Sequence, residues 1–168
     1  MISQEQDKSE CIPRIVVVGA GGLAASCLWG LLTSPLLQKF AELELILCDF
    51  DVIEASNLNR QIFFLPEDIG KPKAEVLCLR LAERLSLSCR IAFLPMVRRF
   101  GKEIADELLA DAKLVIDACD CAVTKFVIND YCLANGISFC YAGVIANAGL
   151  SLSVPGVSPT APDRKSVV

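Results

Sequence analysis

The chain has 168 residues, of which 54% are hydrophobic and 21% are charged, and its formal net charge is -4. This length suffices for one domain with a sizeable core, and the composition argues against intrinsic disorder. The acidic balance and the lack of a basic run argue against a broad nucleic-acid-binding surface. The absence of histidine excludes Ser-His-Asp and Cys-His catalysis and any histidine-ligated metal site.

Two long stretches carry no charge and raise the question of membrane insertion. They run from Ile15 to Gln38 and from Ile137 to Pro162. Glycine turns interrupt the first, and the second alternates leucine and valine with serine, which favours buried strands over lipid-facing helices. We therefore expect no membrane-spanning segment. Because the opening residues 1–12 are polar and charged rather than a signal peptide, we expect a cytoplasmic protein.

The hydrophobic pattern predicts strands that alternate with helices. The predicted strands cover residues 14–18, 43–48, 90–94, 113–117, 138–144 and 150–154. The predicted helices cover residues 23–32, the segment after Pro72, residues 102–109, and residues 124–135 up to Gly136. This order predicts an α/β fold, a Rossmann-like, doubly wound, mostly parallel sheet with helices on both faces.

Amphipathic spacing also predicts which side of the helix after Pro72 faces the core. Its apolar residues at i, i+3, i+4 and i+7 are Cys78, Leu81, Ala82 and Leu85. Its charged residues Glu75, Arg80, Glu83 and Arg84 are expected to face elsewhere.

The nine cysteines lie mostly within apolar strands or helices. This placement favours reduced, buried thiols of a cytosolic protein. The alternative is that Cys119 and Cys121 begin a metal site, but no second pair follows at metal-ligand spacing. We therefore expect no zinc.

A glycine-rich turn follows the first predicted strand and consists of Gly19, Ala20, Gly21 and Gly22. Glycines allow a sharp turn and let a phosphate approach the helix N-terminus, where free N–H groups favour anions. Asp49 ends the second predicted strand, where an acid can bind ribose hydroxyls. These features fit NAD, FAD, S-adenosylmethionine or ATP, so an NAD(P)-dependent oxidoreductase is one alternative, and a purely structural turn is another.

Three further segments resemble one enzyme family. Residues 49–61, DFDVIEASNLNRQ, resemble the D-x-D-x-[IV]-x-x-S-N-L-N-R-Q segment of ubiquitin-activating enzymes and of MoeB and ThiF. Residues 70–75, GKPKAE, resemble the family's G-x-x-K-A-E, and residues 117–120, DACD, resemble its D-x-x-D. Because the order and spacing also agree from about Ile15 to Pro159, the chain is similar to the ThiF/MoeB/HesA family of adenylating enzymes.

The resemblance implies ATP-dependent adenylation of the C-terminal carboxylate of a ubiquitin-like or sulfur-carrier protein, by an enzyme that forms a homodimer. It implies catalytic roles for Arg60, Lys73 and Asp120. It implies a nucleotide-binding set of Gly19, Ala20, Gly21, Gly22, Asp49, Asp51, Asn57, Arg60, Gln61 and Lys73. Such reactions depend on positioning and charge neutralisation, for which no histidine is needed.

Asp120 is implied as the ligand of Mg²⁺, a cation that prefers carboxylate oxygens. Plainer interpretations remain open for each charged residue. Arg60 and Lys73 could be solvated surface charges, and Asp120 could be the N-cap of the following helix. Asp117 is expected to be structural rather than a ligand.

The C-terminal end departs from the family's pattern. Residues 154–159, VPGVSP, resemble the family's P-G-x-S-P, but TAPD follows instead of zinc-binding cysteines. We expect an adenylation domain over residues 13–159, between a flexible tail of residues 1–12 and a divergent tail of residues 160–168. Because the family's later strands are not encoded after Pro159, we expect little pyrophosphate exchange. The alternative function is a truncated, non-catalytic ATP- or partner-binding module.

Overall fold

The computed structural model describes residues 12–85, 90–145 and 148–156. The strands are β1 Arg14–Val18, β2 Glu42–Cys48, β3 Arg90–Met96, β4 Ala112–Asp117, β5 Ser138–Ile145 and β6 Ala148–Val154. The α-helices are α1 Gly22–Leu32, α2 Lys73–Arg84, α3 Lys102–Leu109 and α4 Ala122–Asn135. Short 3-10 helices cover Pro35–Lys39, Ala55–Asn57 and Pro66–Asp68. The tails predicted for residues 1–12 and 160–168 lie outside the described residues, except for Ile12.

The six strands form one sheet in the order β3-β2-β1-β4-β5-β6. All neighbouring pairs from β3 to β5 are parallel, and β6 runs antiparallel to β5. This arrangement confirms the predicted Rossmann-like, mostly parallel sheet. Strands β2 and β3 follow on one side of β1, whereas β4, β5 and β6 follow on its other side. The carboxyl ends of β1 and β4 therefore border the crevice where such folds bind ligands.

Helices cover both faces of the sheet because the central strands are apolar on both sides. Val17, Leu45 and Leu47 pack towards α1 and α2. Val16 and Ile46 belong to a second cluster with α3 and α4. Consecutive strand residues point to opposite faces, so the continuous apolar runs of β1 and β2 require cover on each face.

The predicted core-facing side of α2 was partly wrong. Cys78 and Leu81 are buried as predicted, but Ala82 is exposed. Arg80 instead turns towards the interior and binds the buried carboxylate of Asp68. The buried apolar stripe keeps the predicted spacing but starts one turn earlier, at Ala74, Leu77, Cys78 and Leu81. Arg80 lies beside this stripe, where its guanidinium neutralises the buried Asp68 carboxylate.

The uncharged stretches form ordinary elements of this sheet. The first contains β1 and α1, and the described part of the second contains β5 and β6. Across the described ranges, every helix is too short or too polar to cross a membrane. The prediction that these stretches are not transmembrane helices therefore holds for the residues described.

Candidate functional site

The glycine-rich turn passes very close to the segment that follows β4. Gly19 has a φ of 99°, in a region that favours glycine. A Cβ atom added there would lie 2.8 Å from the carbonyl oxygen of Ala118. The first glycine of the motif is therefore required by the contact between two strand ends as well as by the turn.

Asp49 fixes this turn to the end of β2. Its Oδ2 accepts a hydrogen bond of 2.6 Å from the Ala20 amide, and its Oδ1 accepts one of 2.8 Å from the Asp51 amide. Burial raises the pKa of Asp49, while these two amide hydrogen bonds oppose the rise. Each carboxylate oxygen has a further lone pair, so the side chain retains capacity to accept a ribose hydroxyl.

The segment between β2 and α2 forms a loop that is closed at its base. The Ile53 amide donates to the Lys71 carbonyl at 2.9 Å, and the Gly70 amide donates to the Ile53 carbonyl at 2.8 Å. One step further, the Lys73 amide donates to the Asp51 carbonyl at 2.9 Å. We call residues 54–69 the closed loop, because this short antiparallel pairing brings its two ends together.

The closed loop packs its central residues against the glycine-rich turn. A Cβ atom on Gly22 would lie 3.2 Å from the Arg60 carbonyl oxygen and 3.6 Å from Cγ of Gln61. Asn57 is buried, and its Oδ1 accepts a hydrogen bond of 3.1 Å from the Glu54 amide. The structure thus brings the SNLNRQ segment and the glycine motif together, although they are about forty residues apart in sequence.

Arg60 and Gln61 are neighbours with different environments. The Arg60 side chain is exposed, and its Nη1 donates to the Ser56 carbonyl at 2.8 Å and to Asn59 Oδ1 at 3.1 Å. Within the described ranges no carboxylate neutralises it. Gln61 is only 7% exposed, and its Oε1 is buried without a hydrogen-bond partner among these residues. Such an orphaned buried oxygen is costly unless another group binds there.

Lys73 lies at the first position of α2 and is only 9% exposed. Its Nζ lies 3.0 Å from Oδ2 of Asp51. The interpretation of Lys73 as a solvated surface charge is therefore wrong. The ammonium is oriented by a carboxylate from the end of β2, close to the site of Asp49.

Two aspartates, Asp117 and Asp120, lie at the end of β4 and have different environments. Asp117 is 2% exposed, and its Oδ1 accepts from the Cys119 amide at 3.1 Å and from Lys125 Nζ at 3.2 Å. It is thus structural, as predicted. Asp120 is exposed at the crevice, and the N-cap of α4 is Cys121, so the N-cap interpretation of Asp120 is wrong.

A metal site made only of protein ligands is not present in the described part of the chain, where no three Cys, Asp or Glu side chains come together. The alternative that Cys119 and Cys121 begin a metal site therefore finds no third ligand there. Burial, followed by the hydrogen bond to Asp117, raises the pKa of Cys119 to about 12, so its sulfur stays protonated. Asp120 would hold Mg²⁺ as a single carboxylate, which suits a cation that takes one or two carboxylates plus phosphate oxygens.

Sequence reasoning missed two pairs of residues around this site. The guanidinium carbon of Arg99 lies 3.7 Å from the centroid of the Phe50 ring, directly beside Asp49. The sequence feature that could have indicated this pair is the arginine after the third predicted strand. In a parallel sheet, the end of that strand lies at the same sheet edge as Asp49. The second pair is Asp68 and Arg80, whose closest atoms are 2.9 Å apart. Its signal was an acid just before α2 and an arginine two turns into that helix.

Comparison with known proteins supports the motif resemblance. The ThiF family model matches residues 2–164. The chain is 34% identical over 134 residues to the SAMP-activating enzyme E1 of Haloferax volcanii, across 78% of this chain and 45% of that protein. It is 31% identical over 149 residues to the sulfur carrier protein ThiS adenylyltransferase of Bacillus subtilis, across 87% of this chain and 42% of that protein.

Solved structures show the same fold. The crystal structure of E. coli MccB with AMPCPP and MccA has a TM-score of 0.72 and 25% identity, and the likeness covers 86% of this chain and 41% of that one. E. coli TcdA in complex with AMP has a TM-score of 0.65 and 27% identity, with coverage of 78% and 51%. The chain spans less than half the length of the two curated relatives above.

Proposed function

The chain belongs to the ThiF family, and from this membership and the geometry of the site we propose that residues 13–159 bind ATP and adenylate a carboxylate. The proposed acceptor is the C-terminal carboxylate of a ubiquitin-like or sulfur-carrier protein. The names of the two relatives, a SAMP-activating enzyme and a ThiS adenylyltransferase, support this class of acceptor. The observation that carries the proposal is the contact of the glycine-rich turn with the Arg60 carbonyl and the Gln61 side chain, which gathers the motif residues at one edge of the sheet.

The donor set at this edge fits a nucleoside triphosphate. The first-turn amides of α1 would bind phosphate oxygens, because helix N-termini leave N–H groups without intrahelical partners. Arg60 lacks a carboxylate partner within the described ranges and would bind phosphate with its planar fork. Lys73 would supply a compact positive charge, and Gln61 and Asn57 would supply neutral polar contacts. Mg²⁺ held by Asp120 would neutralise charge on the outer phosphates.

The proposed reaction forms a bond between a carboxylate oxygen of the acceptor and the α-phosphorus of ATP. The bond from that phosphorus to the bridging oxygen breaks, and pyrophosphate leaves. The attacking carboxylate is already ionised, so no side chain has to remove a proton. Arg60 and Lys73 therefore act by orienting phosphate and stabilising its charge, which agrees with a chain that has no histidine.

The position of the base follows from the order of the strands. If the phosphates lie at the end of β1 and the ribose at Asp49, the base lies beyond Asp49, towards the end of β3. Phe50 and Arg99 meet there, and both side chains are exposed. Their stacked faces would provide a surface on which a flat purine ring can lie.

Isothermal titration of the 168-residue chain with Mg·ATP and with NAD tests the nucleotide assignment. We expect Mg·ATP to bind more tightly, since the NAD alternative uses only the glycine-rich turn and Asp49. Tighter binding of NAD would overturn the proposal. Exchange of labelled pyrophosphate into ATP, measured with candidate carrier proteins, then distinguishes adenylation by this chain from the alternative of a truncated, non-catalytic module. Little exchange, as expected from the sequence, would favour that alternative.

A further inference from the structure

We infer that Asp68 and Arg80 are positioning residues, which hold Arg60 and Lys73 in the arrangement needed to bind a triphosphate. The inference rests on the proposed function but concerns residues that belong to neither the glycine motif nor the phosphate-contacting set. It follows from the way the closed loop is attached to α2.

Asp68 collects hydrogen bonds from three separate parts of the chain. Its Oδ2 accepts from the Leu65 amide at 3.0 Å and from Arg80 Nη2 at 2.9 Å. Its Oδ1 accepts from Lys71 Nζ at 3.0 Å and from Arg80 Nη2 at 3.2 Å. The Asp68 side chain is 2% exposed, so the carboxylate depends on these partners rather than on water.

The charge state of Asp68 agrees with this role. Burial alone would raise the pKa of Asp68, but the hydrogen bonds from Arg80, Lys71 and the Leu65 amide lower it to about 2. Asp68 is therefore ionised throughout the physiological range and attracts both cations.

The two ion pairs that attach the closed loop lie on one side of α2. Lys73 and Arg80 are seven residues apart, which is about two turns of an α-helix and places them on the same face. Lys73 binds Asp51, just before the closed loop, and Arg80 binds Asp68 at its end. The same helical face thus fixes both ends of the segment that carries Arg60.

Asp49 is attached in a different way. It is held by β2 and by the amides of Ala20 and Asp51, and it has no contact with Asp68 or Arg80 among its hydrogen bonds. Loosening the end of the closed loop should therefore disturb the phosphate contacts more than the ribose contact. A general loss of folding would weaken both.

The test uses Asp68→Asn and Arg80→Lys in the full chain, titrated with Mg·ATP and with AMP. Asp68→Asn keeps the shape of the side chain but removes its charge. We expect it to weaken Mg·ATP binding by about tenfold or more and AMP binding by only about threefold or less. Arg80→Lys keeps a cation and should lose less Mg·ATP affinity than Arg80→Met. Glu107→Gln breaks the exposed ion pair with Arg98 and serves as the matched control that changes neither affinity.

Hydrogen exchange provides a measurement that needs no ligand. In Asp68→Asn, amides of the closed loop should exchange faster, while those of β1 and β4 should keep their protection. Equal losses of ATP and AMP affinity, or unchanged ATP affinity in a folded variant, would overturn the inference. If Asp68→Asn does not fold, Arg80→Lys and Arg80→Met carry the comparison. Failure of the unmodified chain to bind ATP would instead refute the proposed function. In that case, faster hydrogen exchange confined to the closed loop of Asp68→Asn would still show that Asp68 and Arg80 hold this loop.

Discussion

The Lys73 ammonium and the Asp51 carboxylate lie 3.0 Å apart, at the point where α2 begins. The lysine is almost completely buried, whereas Asp51 is exposed. An ion pair of this kind orients the lysine before any ligand binds, because a buried ammonium without a charged partner is energetically costly.

Lys73→Ala and Asp120→Ala should weaken the binding of Mg·ATP much more than the binding of AMP. Both groups are proposed to act on the outer phosphates and the metal, which AMP lacks. Loss of a charge-assisted contact costs about 1.5–3 kcal/mol, or roughly ten- to hundredfold in affinity. Isothermal titration measures both ligands, and equal losses would indicate a disturbed fold instead.

Asp49→Ala should weaken ATP and AMP alike, because both contain the ribose that Asp49 is proposed to bind. The substitution also removes the acceptor of the Ala20 amide, so the glycine-rich turn loses a contact of 2.6 Å. The ratio of the two dissociation constants is the decisive quantity. A loss confined to ATP would contradict the assignment of Asp49 to the ribose.

Arg99→Ala should weaken AMP and ATP to a similar extent, by about two- to fivefold, if its guanidinium supports the base. Binding of inorganic tripolyphosphate should not change, since that probe has no base. Arg98→Ala is the neighbouring control, because Arg98 is paired with Glu107 rather than with Phe50. Weaker binding of tripolyphosphate by Arg99→Ala would mean that Arg99 contacts phosphate.

Gly19→Ala should destabilise the chain by at least about 2 kcal/mol, since the residue combines a positive φ with a clash against Ala118. Gly30→Ala is the matched control. Gly30 lies inside α1, and a Cβ atom there meets nothing within 4 Å, so this change should stabilise by about 0.5–1 kcal/mol. Urea denaturation measures the change in unfolding free energy for each variant. Destabilisation by Gly30→Ala would count against the described packing of α1.

Acid should selectively remove the contribution of Asp68 to stability. The folded-state pKa of about 2 lies below the ordinary value of 3.8, so the contribution is complete above about pH 4 and is lost as the pH falls towards 2. The difference in unfolding free energy between the unmodified chain and Asp68→Asn should therefore be constant near neutrality and shrink below pH 4. Denaturant titrations at several pH values measure this difference. A gap that stays constant down to pH 2 would contradict the lowered pKa.

Much of the fold could be predicted because the central strands β1, β2 and β4 are mostly buried and therefore read as apolar runs. The predicted limits of β1 and α3 agree with the structure, and Gly136 ends α4 with a φ of 65°, as its position after the helix indicates. The antiparallel direction of β6 was not predictable in this way, because alternation does not specify which way a strand runs. The extension of β3 through Pro95 and Met96 was also missed, since proline usually ends a strand.

The site shows a similar division between local and long-range information. The family motif identified Arg60, Lys73 and Asp120 as candidates, and their catalytic roles are predictions. The pairing of Asp68 with Arg80 could not be inferred from the helical pattern, since a charged residue at that position normally faces solvent. Only the three-dimensional path of the closed loop places a buried carboxylate next to it.

The chain has a single tryptophan, Trp29. Its ring centroid lies 5.7 Å from that of Phe63 in the closed loop. The guanidinium of Arg84, from α2, lies over the same Phe63 ring, 5.0 Å from its centroid. Three elements that border the proposed nucleotide site therefore meet beside one natural fluorophore. Its emission depends on the packing of Phe63, so stopped-flow fluorescence would detect any displacement of the closed loop on nucleotide binding without an attached dye.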